Sequence, residues 1–203
     1  LSRERYWGTP LPVWKCEKCK ETVCIGSIDE LKEKSGIAEI KELHRPDIDK
    51  VFLKCKCGEK MKRVPEVIDC WFDSGSMPFA QWHYPFENKD FIDKKEFFPA
   101  DFICEGIDQT RGWFFTLLVI SKILGLESSY KNVAAVGIVL DAKSQKMSKS
   151  KGNVVKPLDI TEKYGADVAR MYFYTVNGIA DSKRFDFKDL ESLYNRFFNP
   201  LIN

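Results

Sequence analysis

Three groups of side chains in this chain are spaced for chemistry. The first is two cysteine pairs, Cys16-x-x-Cys19 and Cys55-x-Cys57-Gly58. A CxxC turn sets two sulfurs on one side of a tight knuckle, and a second pair supplies the remaining corners of a tetrahedron, which thiolates offer to zinc. Cys24 and His44 stand as alternative ligands, so spacing leaves the set open, and four ordinary reduced cysteines are the plain alternative. The second group is Glu105-Gly106-Ile107-Asp108-Gln109, where acceptors at the carboxyl end of a strand can hold ribose hydroxyls and the glycine lets a ligand approach the backbone. The plain alternative is that Glu105 and Asp108 cap and solvate a turn. The third is Lys146-Met147-Ser148-Lys149-Ser150-Lys151-Gly152-Asn153. Between Asp141 and Lys156 stand five lysines and one acid, with serines between them, a composition suited to a mobile clamp on a polyphosphate or simply to a solvated basic loop.

These groups need scaffolding, and the apolar pattern supplies candidates. Val133 to Leu140 is short and β-branched and reads as one buried strand, with a helix beginning at Pro157-Leu158-Asp159. The lysine loop is then a strand-to-helix connection, where parallel-strand scaffolds carry their chemistry. Phe97 to Gly106 reads as another strand. Trp113 to Leu124 is too long and too apolar for a strand and reads as a buried helix, with Asp108 as its cap. Val64 to Phe79 alternates and then breaks at Ser74-Gly75-Ser76, which predicts a strand ending in a loop. Short helices are expected near Asp29–Lys34, over Lys156–Gly165 and Ala166–Val176, and from Lys188 to Phe198. Thr9-Pro10-Leu11-Pro12 forbids helix and favours an extended surface path with aromatic anchors.

The 203 residues, 44% of them hydrophobic, suffice for one large domain or a domain with a small satellite. Five Trp and fifteen Phe make the core aromatic. A net charge of +2 gives no global field for nucleic acid, so any RNA contact must be local. Seven cysteines in no disulfide-like array, with no leader and no membrane-length apolar stretch, predict a reducing, cytoplasmic setting.

The string KMSKSKGNVV over Lys146–Val155 resembles the lysine-serine signature of class I aminoacyl-tRNA synthetases. EGIDQTRGW from Glu105 to Trp113, WFDSGSMP from Trp71 to Pro78 and RYWGTPLPVW from Arg5 to Trp14 resemble stretches of the isoleucyl-tRNA synthetase family. The resemblance implies an α/β fold: the second half of a Rossmann-like parallel-sheet catalytic domain, with a small zinc-binding insertion and C-terminal helices. Its expected segments are 1–15 (re-entry into the catalytic domain), 16–63 (zinc insertion), 64–180 (catalytic half with the lysine loop) and 181–203 (helices leading to an anticodon-binding domain). It favours Cys16, Cys19, Cys55 and Cys57 for a structural zinc, which leaves no open coordination position. It implies that Glu105, Gly106, Asp108 and Gln109, with Lys149, bind the adenylate or ATP. By the same resemblance Trp71 and Trp113 face each other across an isoleucine side chain, and Lys146 and Lys149 stabilise the departing pyrophosphate. Substrates would be isoleucine, ATP with Mg2+, and tRNA(Ile), and the protein would be monomeric.

Two departures qualify this. The family's His-x-Gly-His signature is absent, since the only histidines are His44 and His83, and neither GxGxxG nor a P-loop is present. The chain is therefore expected to be a fragment, inactive alone, lacking also the editing and anticodon domains. Asp73 follows Phe72 where valine enzymes carry serine. The rivals are a valine- or leucine-specific synthetase, a non-catalytic zinc-ribbon nucleic-acid module, and a regulatory paralogue.

Overall fold

A computed structural model describes residues 2–3 and 5–202, with side chains from Arg5 onward; Leu1, Glu4 and Asn203, which fall in the expected first and last segments, lie outside the described residues. Strands β1 (Ser2–Arg3), β2 (Val13–Cys16) and β3 (Thr22–Cys24) precede helix α1 (Ile28–Ser35). Strands β4 (Leu53–Lys54), β5 (Lys60–Arg63) and β6 (Val67–Ile68) lead to α2 (Cys70–Ala80) and α3 (Lys89–Asp93). Then come β7 (Ala100–Gly106), α4 (Trp113–Ile123), β8 (Tyr130–Val136) and β9 (Val139–Leu140). Helices α5 (Pro157–Tyr164) and α6 (Ala166–Thr175), strand β10 (Lys183–Arg184), and helices α7 (Phe187–Leu193) and α8 (Asn199–Ile202) complete the order. The chain divides into two compact units, Leu1–Lys89 with Thr116–Leu126, and Asp90–Phe115 with Glu127–Asn203.

The first unit is built on a four-stranded antiparallel sheet in the order β3-β2-β5-β4. Alternation along β2 and β5 turns Trp14, Cys16, Met61 and Arg63 inward and leaves Lys15, Lys60 and Lys62 outside. Of these, Trp14, Cys16 and Met61 join Ile25, Leu31, Ile48, Val51, Leu53 and Cys55 in one core. Trp14 is fully buried and its indole N–H donates to the Val51 carbonyl at 2.8 Å, so the extended stretch after Pro12 is an inner strand rather than a surface one. Helix α1 matches the expected Asp29–Lys34 segment: Ser27 caps it by accepting from Glu30 N–H, and Gly36 closes it at φ +73°.

A second polar core ties this sheet to the segments flanking it. Asp49 accepts from Arg45 Nε at 2.7 Å and from Arg63 Nε at 2.8 Å. Arg63 Nη2 lies 2.6 Å from the same carboxylate without hydrogen-bond alignment, so it contributes charge only. Arg63 also donates to the carbonyls of Leu11 and Glu66, while Arg45 donates to that of Pro65 and covers the Tyr6 ring at 4.6 Å. Both arginines thus stitch residues 6–11 to residues 65–66, which run directly into α2.

Residues 64–79 do not form a strand ending in a loop. The strand is only Val67–Ile68, and Cys70–Ala80 is a helix started by Asp69, whose carboxylate accepts from Trp71 N–H at 2.9 Å. The acid that alternated so well with apolar neighbours is a helix cap. Gly75, the expected breaker, lies where α2 meets Thr116 so closely that a Cβ would stand 2.9 Å from that residue's backbone.

The second unit contains two parallel pairs. Strand β7 pairs with β8 from Ala100↔Tyr130 to Gly106↔Val136, and β9 pairs with β10 through Val139↔Lys183 and Leu140↔Arg184. The apolar run 133–140 is therefore two strands, broken at Gly137, whose amide donates to the Ile179 carbonyl. A side chain at Gly137 would collide with the Asp181 backbone, and that close passage forces the break. β8 is not buried as expected, since Val133 is exposed, and Phe102 of its partner β7 is exposed too. The apolar residues are fit for a covered parallel sheet, and this two-stranded piece supplies no cover of its own. Helix α4 likewise buries one face (Phe114, Leu117, Ile120) and exposes Phe115, Leu118 and Ile123. The C-terminal helices pack Ile160, Tyr164, Val168, Tyr172, Phe185 and Leu190 into a second core. The expected Lys188–Phe198 helix is α7 plus one wide π-turn over Tyr194–Phe198.

Candidate functional site

The four predicted cysteines meet. Sulfurs of Cys16, Cys19, Cys55 and Cys57 all lie within 4.8 Å of one another, and none is in a disulfide. Two hairpin turns of like design bring them together. In the first, Cys16 N–H donates to the Glu21 carbonyl and Lys20, at φ +63°, donates back to Cys16. In the second, Cys55 N–H donates to Glu59 and Gly58, at φ +87°, donates back to Cys55. The left-handed residue in each turn is what folds the sulfurs to one side. Across the turns, Cys16 and Cys57 sulfurs are 3.6 Å apart and those of Cys19 and Cys55 are 3.4 Å apart. A zinc–sulfur bond of about 2.3 Å gives a tetrahedral edge of about 3.8 Å; these two edges lie within tenths of an ångström of it, and all four sulfurs are near enough for that ion to draw together. Cys24 is exposed outside the cluster, and His44 is engaged with Glu42 at 2.6 Å, which removes the two alternative ligands.

The thiols also differ as such a cluster should. The Cys19 amide directed at Cys16, aided by neighbouring donors, lowers that thiol to about 7. The Cys57 amide lowers Cys55, but burial and the adjoining sulfurs outweigh it and push Cys55 up to about 12. One thiolate is easily formed and a second beside it is not, unless a cation shares the site.

In the second unit, the acidic junction lies where β7 ends. Glu105 and Gly106 are its last two residues, opposite Ala135 and Val136 of β8, and Asp108 and Gln109 follow in a 3₁₀ turn over Ile107–Arg111. Glu105 and Asp108 are exposed. The Asp108 carboxylate folds back over Gly106, where a Cβ would meet its Oδ1 at 2.5 Å. Asp108 does not cap α4. Gln109 does, its Oε1 accepting from Trp113 N–H at 2.9 Å. The four-residue reach from Gln109 to Trp113 suits the longer side chain, and the intervening 3₁₀ turn carries Asp108 away.

The lysine loop follows a different strand. From Val136, opposite Gly106, the chain passes Gly137 and β9 into Asp141, so the acidic junction follows the carboxyl end of β7 and the lysine loop that of β9, each strand being one of a parallel pair. Lys146 and Lys149 are exposed and make no ion pair among the described residues. Between them Met147, with Val155 beyond, packs against the C-terminal core and pins the loop. Trp71 lies on α2 of the first unit, 44% exposed, while Trp113 opens α4 in the second unit and is half-buried. The anchoring by Met147 and the hydrogen bonds of Asp141 and Asn153 are what residue spacing missed.

A profile of the family described as "tRNA synthetases class I (I, L, M and V)" matches residues 1–184. The chain belongs to the class I tRNA synthetases. Over its whole length it is 56% identical to the isoleucine–tRNA ligase of Clostridium tetani, and 50% identical to those of Dehalococcoides mccartyi and Bacillus thuringiensis. It spans about a fifth of the length of these curated relatives, 20% in each case. Among solved structures, the LeuRS of Agrobacterium radiobacter in a ternary complex with tRNA and LeuAMS superposes on 96% of this chain and 26% of its own. The TM-score is 0.69 at 23% identity, a likeness of fold. A class I synthetase segment accounts for a chain that carries both parallel strand pairs and a four-cysteine sheet. No helix among the described residues is long and apolar enough to cross a membrane.

Proposed function

We propose that this chain supplies the adenylate-holding junction and the pyrophosphate-side lysine loop of an isoleucine–tRNA ligase. The carrying observation is that β7 and β8 end together at Gly106↔Val136, the acidic junction following β7 directly and the lysine loop following β8 by way of Gly137 and β9. In the whole protein, the isoleucine carboxylate attacks the α-phosphorus of ATP, a phosphorus–oxygen bond forms, the bond to the β-phosphate oxygen breaks, and pyrophosphate leaves. A hydroxyl of the terminal ribose of tRNA(Ile) then attacks the acyl carbon, the isoleucyl ester forms, the anhydride bond breaks, and AMP leaves. The attacking carboxylate is already ionised, so no protein base is needed.

Phosphoryl chemistry of this kind is governed by positioning and charge. Glu105, Asp108 and Gln109 present acceptors to ribose hydroxyls and the ammonium group, and Gly106 lets the ligand near the backbone. Lys146 and Lys149 lower the cost of charge collecting on pyrophosphate, and Mg2+ accompanies ATP as part of the substrate. Trp71 and Trp113 are each taken, separately, as a flat apolar face of the kind that receives a branched side chain. Cys16, Cys19, Cys55 and Cys57 would hold a zinc ion that crosslinks the sheet and takes no part in the reaction. In this reading residues 16–63 form the zinc insertion, 64–180 the catalytic half and 181–203 the approach to the anticodon-binding helices.

The test is ATP–pyrophosphate exchange by the full-length protein with isoleucine, valine and leucine in parallel. Isoleucine should support exchange with a kcat/KM about 100-fold above valine, the discrimination one methylene allows. Exchange led by valine or leucine, or none, would reject the proposal.

A further inference from the structure

The lysine loop contains one acid, and that acid forms an ion pair with none of its lysines among the described residues. Asp141 Oδ1 accepts from the backbone N–H groups of Lys143 at 2.9 Å and Gln145 at 2.8 Å, and its Oδ2 accepts from Asn153 Nδ2 at 2.8 Å. Asn153 in turn grips the signature from behind. Its Oδ1 accepts from Ser148 N–H at 2.9 Å, and its Nδ2 also reaches the Lys146 carbonyl at 3.3 Å. The backbone on both sides of Met147 is thereby held, and Ser148 Oγ caps the short turn that carries Lys149 by accepting from Lys151 N–H. These neutral amide donors hold the Asp141 carboxyl below the usual carboxylate range, the Asn153 amide foremost.

An acid placed only to balance charge would pair with an ammonium, because five lysines surround it within sixteen positions. Using both oxygens on neutral N–H groups instead closes residues 141–153 into a ring and leaves every lysine charge available. We infer that Asp141 and Asn153 are a positioning pair: a clasp that fixes the backbone of Lys146 and Lys149 so that their ammonium groups meet the phosphates of ATP. This rests on the function proposed above and adds two residues that do not touch the reacting atoms.

The clasp has a direct test, because donor and acceptor can trade places. Asp141→Asn sets two amide nitrogens against each other, and Asn153→Asp sets two carboxylates together. The double variant restores one donor facing one acceptor, keeps the acceptors for Lys143, Gln145 and Ser148, and preserves net charge, giving up only the long contact to Lys146. All three are made in the full-length protein and read in two ways, by kcat and KM in isoleucine-dependent pyrophosphate exchange, and by the rate of tryptic cleavage between residues 141 and 156. Each single variant should lower kcat and speed cleavage by about tenfold or more, and leave the KM for isoleucine within about twofold. The melting midpoint should stay within about 3 °C. The double variant should recover both kcat and cleavage resistance to within about threefold of the unmodified protein.

Additive losses in the double variant, or single variants that change neither readout, would overturn the clasp. Cleavage rescued without kcat would show a loop fastener with no positioning role, and would equally overturn the inference. If the unmodified protein shows no isoleucine-dependent exchange, the proposed function fails on that result, and the cleavage cycle still decides whether the clasp exists.

Discussion

Replacing Cys55 with serine should empty the four-cysteine site and unfold the sheet built around it. The sulfur separations of 3.4 and 3.6 Å across the two turns fall just short of the edge of about 3.8 Å that a metal would impose, so the site is nearly formed by the hairpins themselves. Cys16 and Cys55 are buried members of a nine-residue core that includes Trp14, Leu53 and Met61, so the ion would sit against the hydrophobic centre of this unit. A structural zinc contributes on the order of 10 kcal/mol of apparent folding free energy, and losing even a third of that exceeds what so small a core can spare. For a chain of this size each kcal/mol moves the midpoint by about 2–4 °C, so Cys55→Ser should lower it by about 10 °C or more. Metal analysis should fall from about one zinc per chain to near none. Cys24→Ser is the control, because Cys24 is exposed outside the cluster and should change neither value. Stoichiometric zinc retained by Cys55→Ser, or lost from Cys24→Ser, would refute the assignment.

Two further outcomes follow from the packing. Asp49→Ala leaves the guanidiniums of Arg45 and Arg63 facing each other without their shared anion, and Arg63 is only 1% exposed. The cost should be about 2–4 kcal/mol by urea denaturation, and a loss below about 0.5 kcal/mol would deny this network its role. Burial alone would raise the Asp49 pKa, but hydrogen bonds from Arg63 and Arg45 outweigh it and lower it. Its stabilisation is therefore full above the ordinary carboxylate range near 4 and drains away as pH falls through the lowered value, a drop the Asp49→Ala protein should not show. Gly75→Ala would force a methyl group to within 2.9 Å of the Thr116 backbone. The helix-propensity gain of about 1 kcal/mol should not cover overpacking of about 1–3 kcal/mol, so an unchanged or higher melting midpoint would show that α2 can retreat freely.

Much of the site was legible because its parts are local. The CxxC and CxC pairs announced their knuckles, and the glycine after the second pair marked the left-handed turn. The ends of β7 and α5 were readable from the apolar pattern and from Gly165. What escaped depended on partners far along the chain. Asp69 looked like a polar position in an alternating strand because nothing nearby reveals that it caps α2. The break at Gly137 depends on the passage of residue 181 beside it. Asp108 read as the cap of α4, and only the 3₁₀ turn gives that position to Gln109 instead. The strands read as buried because their composition is that of a covered sheet, while exposure is set by what packs on them. Cys24 and His44 could not be set aside by spacing, since sulfurs 36 and 41 positions apart meet only once the sheet is formed.

The central claim is that the lysine loop acts on the phosphates of the same nucleotide whose sugar the β7 junction holds. Rapid-quench measurement of isoleucyl-adenylate formation by the full-length protein carrying Lys149→Ala tests it most directly. The account predicts an activation rate lowered by about 100-fold or more with isoleucine affinity within about twofold, the pattern of an interaction made only in the transition state. An unchanged rate, or a loss confined to isoleucine binding, would contradict it.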